Sequence, residues 1–398
     1  MAFQSRASNL TADTTNTEDI FVYDRELGET TLISTTSEGI QAQGNSSYAA
    51  ISADGRLVAF KSFASNLVPD DTNDEADIFV HNRQTGRTLR ISVASDGTQA
   101  NNMSRDPAIS ADGQLIVFQS FASNLVPDDT NDELDVFVYD LKTEVISRVS
   151  VASDGSQANA TSSHPKLSAD GRFVVFDSYA SNLAAGDNDA HADIFVHNRI
   201  TGETTRVSIA SDGTEVYGYS ANPGISADGR FVVFESSASG LVPDDNNVVC
   251  YYISTRPAPP FNCPDIFIHD RVTGETNRVS IASNGVEANG LSRNASISAD
   301  GRLIAFESKA SNLVSGDTND RFDIFIHDRQ TGRTVRVSLS SDGNQGNGDS
   351  FSPVLSADGQ WIAFESHADN LVPHDTNEVS DIFIVHVDTC LKISNSEG

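Results

Sequence analysis

The stretch that decides the fold reads ISADGRLVAF (51–60), ASNLVPDDTND (64–74), DIFVHNR (77–83), TGRT (85–88) and RISVASDGTQAN (90–101). Near-copies of it fill the chain of 398 residues and start at Ile51, Ile109, Leu167, Ile225, Ile297 and Leu355. The starts are 58, 58, 58, 72 and 58 residues apart, so one copy is 14 residues longer than the others. A repeat this regular predicts an architecture built from identical units.

Each copy reads as four short strands. The first ends at the S-A-D-G turn, and the next three cover Leu57 to Phe60, Ile78 to His81, and Thr88 to Val93. Asp-Gly between apolar runs is a strong hairpin signal and favours a type I′ turn, which needs positive φ at both central residues. No stretch has helical period or helical length. Repeated sets of four antiparallel strands, with no helices to cover a sheet face, are most economically arranged as propeller blades.

The sequence therefore predicts an all-β fold, a single β-propeller domain with seven blades of four antiparallel strands. The chain opens on residues that match a second strand, so we expect blade 1 to lack its innermost strand, and it closes after an expected fourth strand. An insertion at about 248–263 falls in blade 5. The expected blades are about 1–50, 51–108, 109–166, 167–224, 225–296, 297–354 and 355–398.

The S-A-D-G hairpin followed by a D-I-F strand resembles the TolB-like β-propeller repeats, a group of WD-like bacterial propeller repeats. Their blades carry S-P-D-G-x-x-I-A-F and then D-I-Y or D-I-F. This chain differs in having Ala in place of Pro in the turn and a long Asp/Asn-rich connection before each D-I-F. The family includes periplasmic translocation partners, lectin-like binders and gating domains of peptidases. The resemblance thus implies a propeller and leaves the function open.

The charge balance restricts the partners. With 26 basic and 56 acidic residues, the net charge of −30 repels phosphate backbones and anionic lipid surfaces and attracts cations. Nucleic acid is therefore not expected as a partner. No run is apolar for long enough to span a bilayer, no signal peptide is visible, and we expect a monomer that does not insert into membranes.

Two of the three cysteines, Cys250 and Cys263, bracket the insertion. A disulfide between them would contribute on the order of 3 kcal/mol by restricting the unfolded chain. It would also place the protein in an oxidising compartment, extracellular or periplasmic. The alternative is a pair of free thiols in a chance insertion. Cys390 has no partner and is expected to be an ordinary strand residue.

The connection between second and third strands repeats oxygen-bearing side chains at positions one, three and seven. Ca²⁺ takes 6–8 oxygen ligands, and closely spaced Asp and Asn on a short loop can supply several of them. The alternative is turn chemistry, since Asp and Asn also hydrogen-bond their own backbone. Blades 1 and 5 are the copies least suited to an ion. The candidate ligands are Asp71, Asn73, Asp77, Asp129, Asn131, Asp135, Asp187, Asp189, Asp193, Asp317, Asn319, Asp323, Asp375, Asn377 and Asp381.

Propeller topology places the acidic loops and the S-D-G-T-Q-A-N segments on one face. Five aromatic residues near blade 5 are expected to lie together there, as a surface for a sugar or peptide ligand or as a small satellite core. They are Tyr217, Tyr219, Tyr251, Tyr252 and Phe261.

A catalytic interpretation has less support. His81, His197, His269 and His327 share one strand position, which indicates a structural role, and no G-x-S-x-G motif is present. We therefore predict a noncatalytic binding or scaffold protein, exported from a bacterium, stabilised by Ca²⁺, with a glycan, peptide or protein ligand. The alternative is a hydrolase or lyase with a metal- or carboxylate-based site in the central channel.

Overall fold

The turn after each first strand is closed by its own side chains. In blade 2 the N–H of Gly55 donates to the carbonyl of Ser52 (2.9 Å), and Asp54 Oδ1 accepts from Ser52 Oγ (2.6 Å) and from the N–H of Arg56 (3.0 Å). Gly55 has a φ of +69° but Asp54 does not have positive φ, so the predicted type I′ turn is wrong. A β-turn closed by a left-handed glycine still reverses the chain, and the hairpin forms where the sequence predicts it.

The computed structural model describes residues 1–11, 15–187, 191–243, 245, 249–250 and 261–393, with backbone alone at 249–250, 261–262 and 392–393. The chain divides into two compact units, residues 1–190 with 195–205 and residues 191–194 with 206–398. Seven successive antiparallel sheets run through the described residues as the blades of a β-propeller, which confirms the predicted fold class.

Blades 1 to 4 contain the first fifteen strands, and neighbours in each sheet follow chain order. Blade 1 comprises β1 (Ala2–Ser5), β2 (Asp19–Asp24) and β3 (Glu29–Leu32). Blade 2 comprises β4 (Ser46–Ile51), β5 (Leu57–Ser62), β6 (Asp77–Asn82) and β7 (Arg87–Arg90). Blade 3 comprises β8 (Ser104–Ile109), β9 (Leu115–Ser120), β10 (Asp135–Asp140) and β11 (Val145–Arg148). Blade 4 comprises β12 (Ser162–Leu167), β13 (Phe173–Ser178), β14 (Asp193–Asn198) and β15 (Glu203–Arg206).

Blades 5 to 7 follow the same order, with a small two-stranded sheet at the insertion. Blade 5 comprises β16 (Ser220–Ile225), β17 (Phe231–Ser236), β20 (Asp265–Asp270) and β21 (Glu275–Arg278), and the insertion adds β18 (Val249–Cys250) and β19 (Phe261–Asn262). Blade 6 comprises β22 (Ser292–Ile297), β23 (Leu303–Ser308), β24 (Asp323–Asp328) and β25 (Arg333–Arg336). Blade 7 comprises β26 (Ser350–Leu355), β27 (Trp361–Ser366) and β28 (Asp381–His386), followed by the helix α1 (Val387–Ile393).

Blade 1 has three strands in the described residues, as predicted. Ser5 faces Asp19 across β1 and β2, just as Ser62 faces Asp77 across β5 and β6. Strands β1, β2 and β3 therefore correspond to the second, third and fourth strands of the other blades.

Blade 7 differs from the prediction because helix α1 stands where a fourth strand was expected. Cys390 lies in this helix, so its assignment to a strand was wrong. It occupies the position of the turn glycine of other blades, such as Gly332, whose φ is +70°. Glycine reaches positive φ without the penalty that a Cβ imposes, so losing it disfavours the hairpin. Val387 and Cys390 are buried among apolar residues of blades 6 and 7.

Within each unit the core consists of apolar layers between successive sheets. In all seven blades a second-strand phenylalanine stacks on a third-strand one, for example Phe60 on Phe79 with centroids 5.9 Å apart. Both rings of the Phe60 pair are fully buried. Full burial of such a ring contributes about 2–3 kcal/mol, so each blade brings its own share of the core.

In the part of the chain that the structure describes, helix α1 is far too short to cross a bilayer, and no other helix would do so.

Candidate functional site

The predicted ion ligands of blade 2 form a compact cluster around an arginine. Arg90, at the end of β7, brings Nη1 to 3.4 Å from Asp71 Oδ1 and 3.6 Å from Asp77 Oδ2. Gln99, from the connection to blade 3, donates Nε2 to Asp71 Oδ1 at 2.8 Å and to Asp77 Oδ2 at 3.2 Å. Asn73 donates its amide to the carbonyl of Ala100 at 2.9 Å. The acidic loop and the S-D-G-T-Q-A-N segment thus meet at one end of the blade.

This carboxylate–arginine cluster recurs with nearly the same geometry in blades 3 and 6. Arg148 Nη1 lies 3.2 Å from Asp129 and 3.4 Å from Asp135. Arg336 Nη1 lies 3.2 Å from Asp317 and 3.1 Å from Asp323. The guanidinium therefore places a positive charge beside the carboxylates for which the sequence predicts Ca²⁺. The remaining members, Asn131 and Asn319, donate to Asp135 (3.2 Å) and Asp323 (3.0 Å).

The strand-initiating aspartates of these clusters are buried. Burial raises the pKa of Asp77 and of Asp135 above the ordinary value, while hydrogen bonds from Ser92 and Ser150 and the nearby arginines oppose the rise. Such a carboxylate is best stabilised when every lone pair has a donor. The serine, the asparagine and the glutamine of each cluster provide these donors, and in blade 3 Arg148 also donates to Asp135 at 3.4 Å, so the cluster fixes the loop to the sheet.

The other copies depart from this pattern. In blade 1 Leu32 replaces the arginine, and Asp19 accepts from Gln41 at 2.9 Å. In blade 7 Asn377 donates to Asp381 at 2.9 Å beside Asp375, and helix α1 takes the place of the arginine-bearing strand.

Blade 4 is described in two parts. Asp187 belongs to the first unit and Asp189 lies outside the described residues. In the second unit Arg206 contacts Asp193 at 3.3 Å and Glu215 at 2.8 Å.

Blade 5 holds the most acidic cluster that lies within one unit. Oxygens of Asp245, Asp265 and Glu287 all lie within 4.8 Å of one another, a spacing that suits a metal ion. Arg278 reaches Asp245 at 2.6 Å and Glu287 at 3.0 Å. Burial raises the pKa of Asp265 to about 7, against the opposing Ser280 hydrogen bond and Arg278, and Glu287 adds to the rise. The sequence predicts this loop to be among the least suited to an ion because the insertion splits it before Asp265, and Glu287, which lies outside the loop, is not among the predicted ligands.

The predicted aromatic surface near blade 5 is described only in part. Tyr217 is 70% exposed and Tyr219 is half-buried. Tyr251, Tyr252 and the Phe261 side chain lie outside the described residues, so their grouping stays a prediction. The same holds for the Cys250–Cys263 disulfide, because only the backbone of Cys250 is described, while Cys263 is buried.

A second set of exposed rings was missed by the sequence analysis. Phe63, Phe121 and Tyr179 occupy equivalent positions directly after the second strands of blades 2, 3 and 4, where the other blades carry Arg, Ser, Lys or His. Phe63 is 49% exposed, Tyr179 is 42% exposed, and Tyr48 on β4 is 55% exposed. The signal was visible in the alignment of the repeats, because aromatics occur at this position in three adjacent blades only.

The innermost strands carry a polar network that periodicity did not reveal. One residue in each of these strands has positive φ within a register shift, among them Tyr48 (57°), Asp106 (53°) and His164 (51°). In four of these strands the N–H freed by the shift donates to a second-strand side chain of the preceding blade; Gln119 Oε1, for example, accepts it from His164 at 2.8 Å. The sequence gives no sign of this backbone conformation, because the residue type at the position changes from blade to blade.

His164 is held by a buried carboxylate. Its Nδ1 lies 2.8 Å from Asp177 Oδ1, and Ser163 Oγ donates to Asp177 Oδ2 at 2.7 Å. Burial disfavours the imidazolium, but the hydrogen bond and charge of Asp177 outweigh it and raise the pKa of His164. An imidazole oriented in this way can donate a hydrogen bond to a ligand or transfer a proton.

Comparison with known proteins shows the fold alone. No family model matches the sequence, and no curated protein matches it. Similar solved structures include an oligogalacturonate lyase in complex with manganese, with 14% identity, a TM-score of 0.52, and coverage of 93% of this chain and 82% of the lyase. Acylaminoacyl peptidase from Pyrococcus horikoshii has 14% identity and a TM-score of 0.51, covering 86% of this chain and 44% of the peptidase.

TolB from Acinetobacter baumannii is also similar, with 16% identity, a TM-score of 0.45 and coverage of 84% of this chain. The chain spans 62% of the length of that protein. The lyase and the peptidase share the propeller fold with this chain, and their differing names show that the fold alone does not decide the function.

Proposed function

We propose that the protein is a noncatalytic binding module that captures a glycan, peptide or protein ligand. The ligand would bind at the strand ends from which the acidic loops emerge. The observation that supports this most directly is the row of ring side chains Phe63, Phe121 and Tyr179, with Tyr48 beside Phe63. Exposed aromatic rings offer apolar contact area at low entropic cost, and they serve sugars and peptides equally well.

The distribution of constant and variable positions supports the same proposal. The carboxylates that recur in nearly every blade, such as Asp77 and Asp135, are buried and hydrogen-bonded within the blade. The ring positions differ between blades, and Phe63 and Tyr179 are exposed while Phe121 is half-buried. A position that is free to vary without loss of the fold is one that can carry specificity.

Substitution of the rings tests the proposal. The immobilised protein is screened against mixed libraries of oligosaccharides and peptides, and capture by Phe63→Ala/Tyr179→Ala is compared with that by the wild type. We expect capture to fall about tenfold or more, since an interface aromatic typically contributes more than 1 kcal/mol. Ile200→Ala is the matched control, because Ile200 is also exposed but lies at the opposite strand end. Equal loss in both variants, or no capture by the wild type, would contradict the proposal.

We further propose that the blade 5 cluster binds a divalent cation, with Ca²⁺ as the expected ion. Three carboxylates and one arginine leave a net charge of two negative units there, whereas the blade 3 cluster, which has Gln157 in place of Glu287, has one. A hard cation with oxygen ligands would neutralise this excess.

Thermal unfolding tests the proposed cation site. The Tm is measured in chelator and across a Ca²⁺ titration, with Mg²⁺ at equal ionic strength as the reference. A ligand at 100 times its Kd stabilises the native state by about 2.7 kcal/mol. We expect Glu287→Gln to lose this response and to be more stable than the wild type in chelator near pH 7. The reciprocal variant Gln157→Glu should gain a response in blade 3. A Ca²⁺ shift that survives in Glu287→Gln would place the ion elsewhere.

We also propose that the protein works in an extracellular or periplasmic compartment. The pair Cys250 and Cys263, which bracket the insertion, supports this if they are bridged. A count of reactive thiols tests the bridge and is set out in the Discussion.

A further inference from the structure

Three cationic side chains of the first unit lie on adjacent inner strands of blades 2 to 4. Lys61 is on β5 beside Ser47 of β4, Arg105 is on β8, and Lys166 is on β12. Strand β8 packs against both β5 and β12, so the three strands form one continuous surface. Two of the five lysines of a chain with a net charge of −30 therefore lie on this surface.

These lysines have no anionic partner. Among the residues that the structure describes, neither Lys61 nor Lys166 makes a hydrogen bond or a salt bridge. Lys61 Nζ instead lies over two rings, 4.8 Å from the Tyr48 centroid and 5.2 Å from the Phe63 centroid. Removal from water lowers the pKa of both lysines, although the Lys166 side chain still reaches solvent. An ammonium group that is partly desolvated and unpaired costs free energy, so something else must compensate for it.

Asp106 is the carboxylate nearest to these groups and is already engaged. Gln119 Nε2 donates to its Oδ2, and Arg105 Nε lies 3.9 Å from the same oxygen. Arg105 Nε itself makes no hydrogen bond in the described part of the chain. Asp106 thus acts on all three cations and Glu18 also acts on Lys61, while the ammonium groups of both lysines make no hydrogen bond in the described residues.

His164 completes the surface from β12. Its Nδ1 is occupied by Asp177 at 2.8 Å, and this leaves Nε2 on the half-exposed imidazole to face away from the buried carboxylate. The fixed ring, the ammonium groups and the exposed rings of Tyr48 and Phe63 combine polar and apolar contacts, as small-ligand sites do.

We propose that Lys61, Arg105, Lys166 and His164 form a binding site for a small organic carboxylate, whose charge pairs with the ammonium groups and whose carbon skeleton contacts Tyr48 and Phe63. This site rests on the proposed binding function and specifies its ligand class. A negatively charged ligand also explains why cations are placed together on a surface of a strongly acidic protein.

Titration calorimetry of the full chain tests the site. The probes are succinate, glucuronate, uncharged glucose and inorganic phosphate. We expect succinate or glucuronate to bind and glucose not to bind, and the better of the two acids identifies an aliphatic or a sugar acid. Lys166→Met should weaken binding about tenfold or more, the loss typical of one hydrogen bond to a charged group. Lys142→Met is the matched control, because Lys142 is an exposed turn lysine of the same unit.

Thermal unfolding without ligand separates a binding role from a structural one. A lysine held for a ligand costs stability, so Lys166→Met should unfold at the same or a higher temperature than the wild type. A clear loss of stability would assign Lys166 a structural role and overturn the site. Phosphate binding as tight as succinate binding would overturn the carboxylate assignment. Failure of both acids to bind, with library capture by the wild type intact, would overturn this site and leave the binding function standing.

Discussion

Single side chains decide the charge of the repeated clusters. Gln157 in blade 3 and Glu287 in blade 5 occupy the same position, and only the second adds a carboxylate to a buried arginine cluster. Burial raises the pKa of Asp265 to about 7, and the charge of Glu287 adds to this rise. A carboxyl group whose folded pKa lies above its unfolded value binds a proton on folding, so its contribution to stability falls as the pH rises from about 4 to about 7.

The pKa of His164 should lie above those of His269 and His327. Burial lowers the pKa of His269 and of His327 to about 4, whereas the Asp177 hydrogen bond outweighs burial and raises that of His164. NMR titration of the imidazole C–H signals is expected to show the His164 midpoint above 6.5, and Asp177→Asn should bring it down. A midpoint that stays unchanged in Asp177→Asn would show that the carboxylate does not hold the imidazolium.

The number of reactive thiols distinguishes a disulfide between Cys250 and Cys263 from free cysteines. Cys390 is buried and burial raises its thiol pKa to about 11, so it should not react in the folded protein. If Cys250 and Cys263 are bridged, a thiol reagent should count no thiol in the native protein, one after denaturation and three after denaturation with reductant. Three thiols without reductant would exclude the bridge and remove the main support for an oxidising compartment.

At the scale of the elements, a histidine–threonine pair joins neighbouring blades. His81 Nδ1 lies 2.9 Å from Thr88 Oγ1, and this hydroxyl donates to the carbonyl of Thr35 in the preceding blade at 2.5 Å. The hydroxyl has one proton, so His81 Nδ1 must be the donor to Thr88. Equivalent pairs join the next blades: His197–Thr204, His269–Thr276 and His327–Thr334. These histidines are structural, in agreement with the interpretation from the sequence.

The buried histidines should make the protein sensitive to acid. A group whose folded pKa is depressed favours the folded state above its unfolded pKa, and that advantage is lost as the pH falls from about 6.5 towards 4. The double variant His327→Tyr/Thr334→Ile copies the pair Tyr139 and Ile146 of blade 3. Urea unfolding at pH 7 and at about pH 4.5 should show a smaller difference in unfolding free energy for this variant, by on the order of 1–2 kcal/mol.

The reciprocal variant Tyr139→His/Ile146→Thr serves as the control for the acid response and should enlarge the same difference. Equal acid sensitivity of the wild type and both variants would mean that the strand histidines are not the groups that titrate.

The strands were predictable because they depend on local pattern, whereas the sites depend on pairing across the blade. The prediction of a strand at Ile78 to His81 agrees with β6 (Asp77–Asn82), since the alternation and the flanking turn lie within one short stretch. Arg90 follows Asp71 only after a hairpin, and nothing in the loop indicates that a guanidinium will enter it. Helix α1 was missed for a related reason, because a single residue, Cys390 in place of glycine, changes the last turn.

For the molecule as a whole, the balance of charge opposes folding. Fifty-six acidic residues and 26 basic ones leave −30 on one chain, and much of this charge lies in exposed positions of the acidic loops. Self-repulsion of this kind is reduced by salt, because the Debye length is about 10 Å at 0.1 M. The buried arginine clusters are screened much less, since their charges are in contact and partly shielded from water.

Monovalent salt should therefore stabilise the protein. We expect the Tm to rise by a few degrees as NaCl is added from low to about 0.5 M, because repulsion between exposed carboxylates is screened while the arginine contacts persist. Choline chloride at equal ionic strength is the control, and an equal rise shows screening, whereas a rise with Na⁺ alone shows site binding. A fall in Tm with both salts would mean that attractive ion pairs, such as those of Arg90 and Arg148 with their aspartates, outweigh the repulsion of the acidic loops.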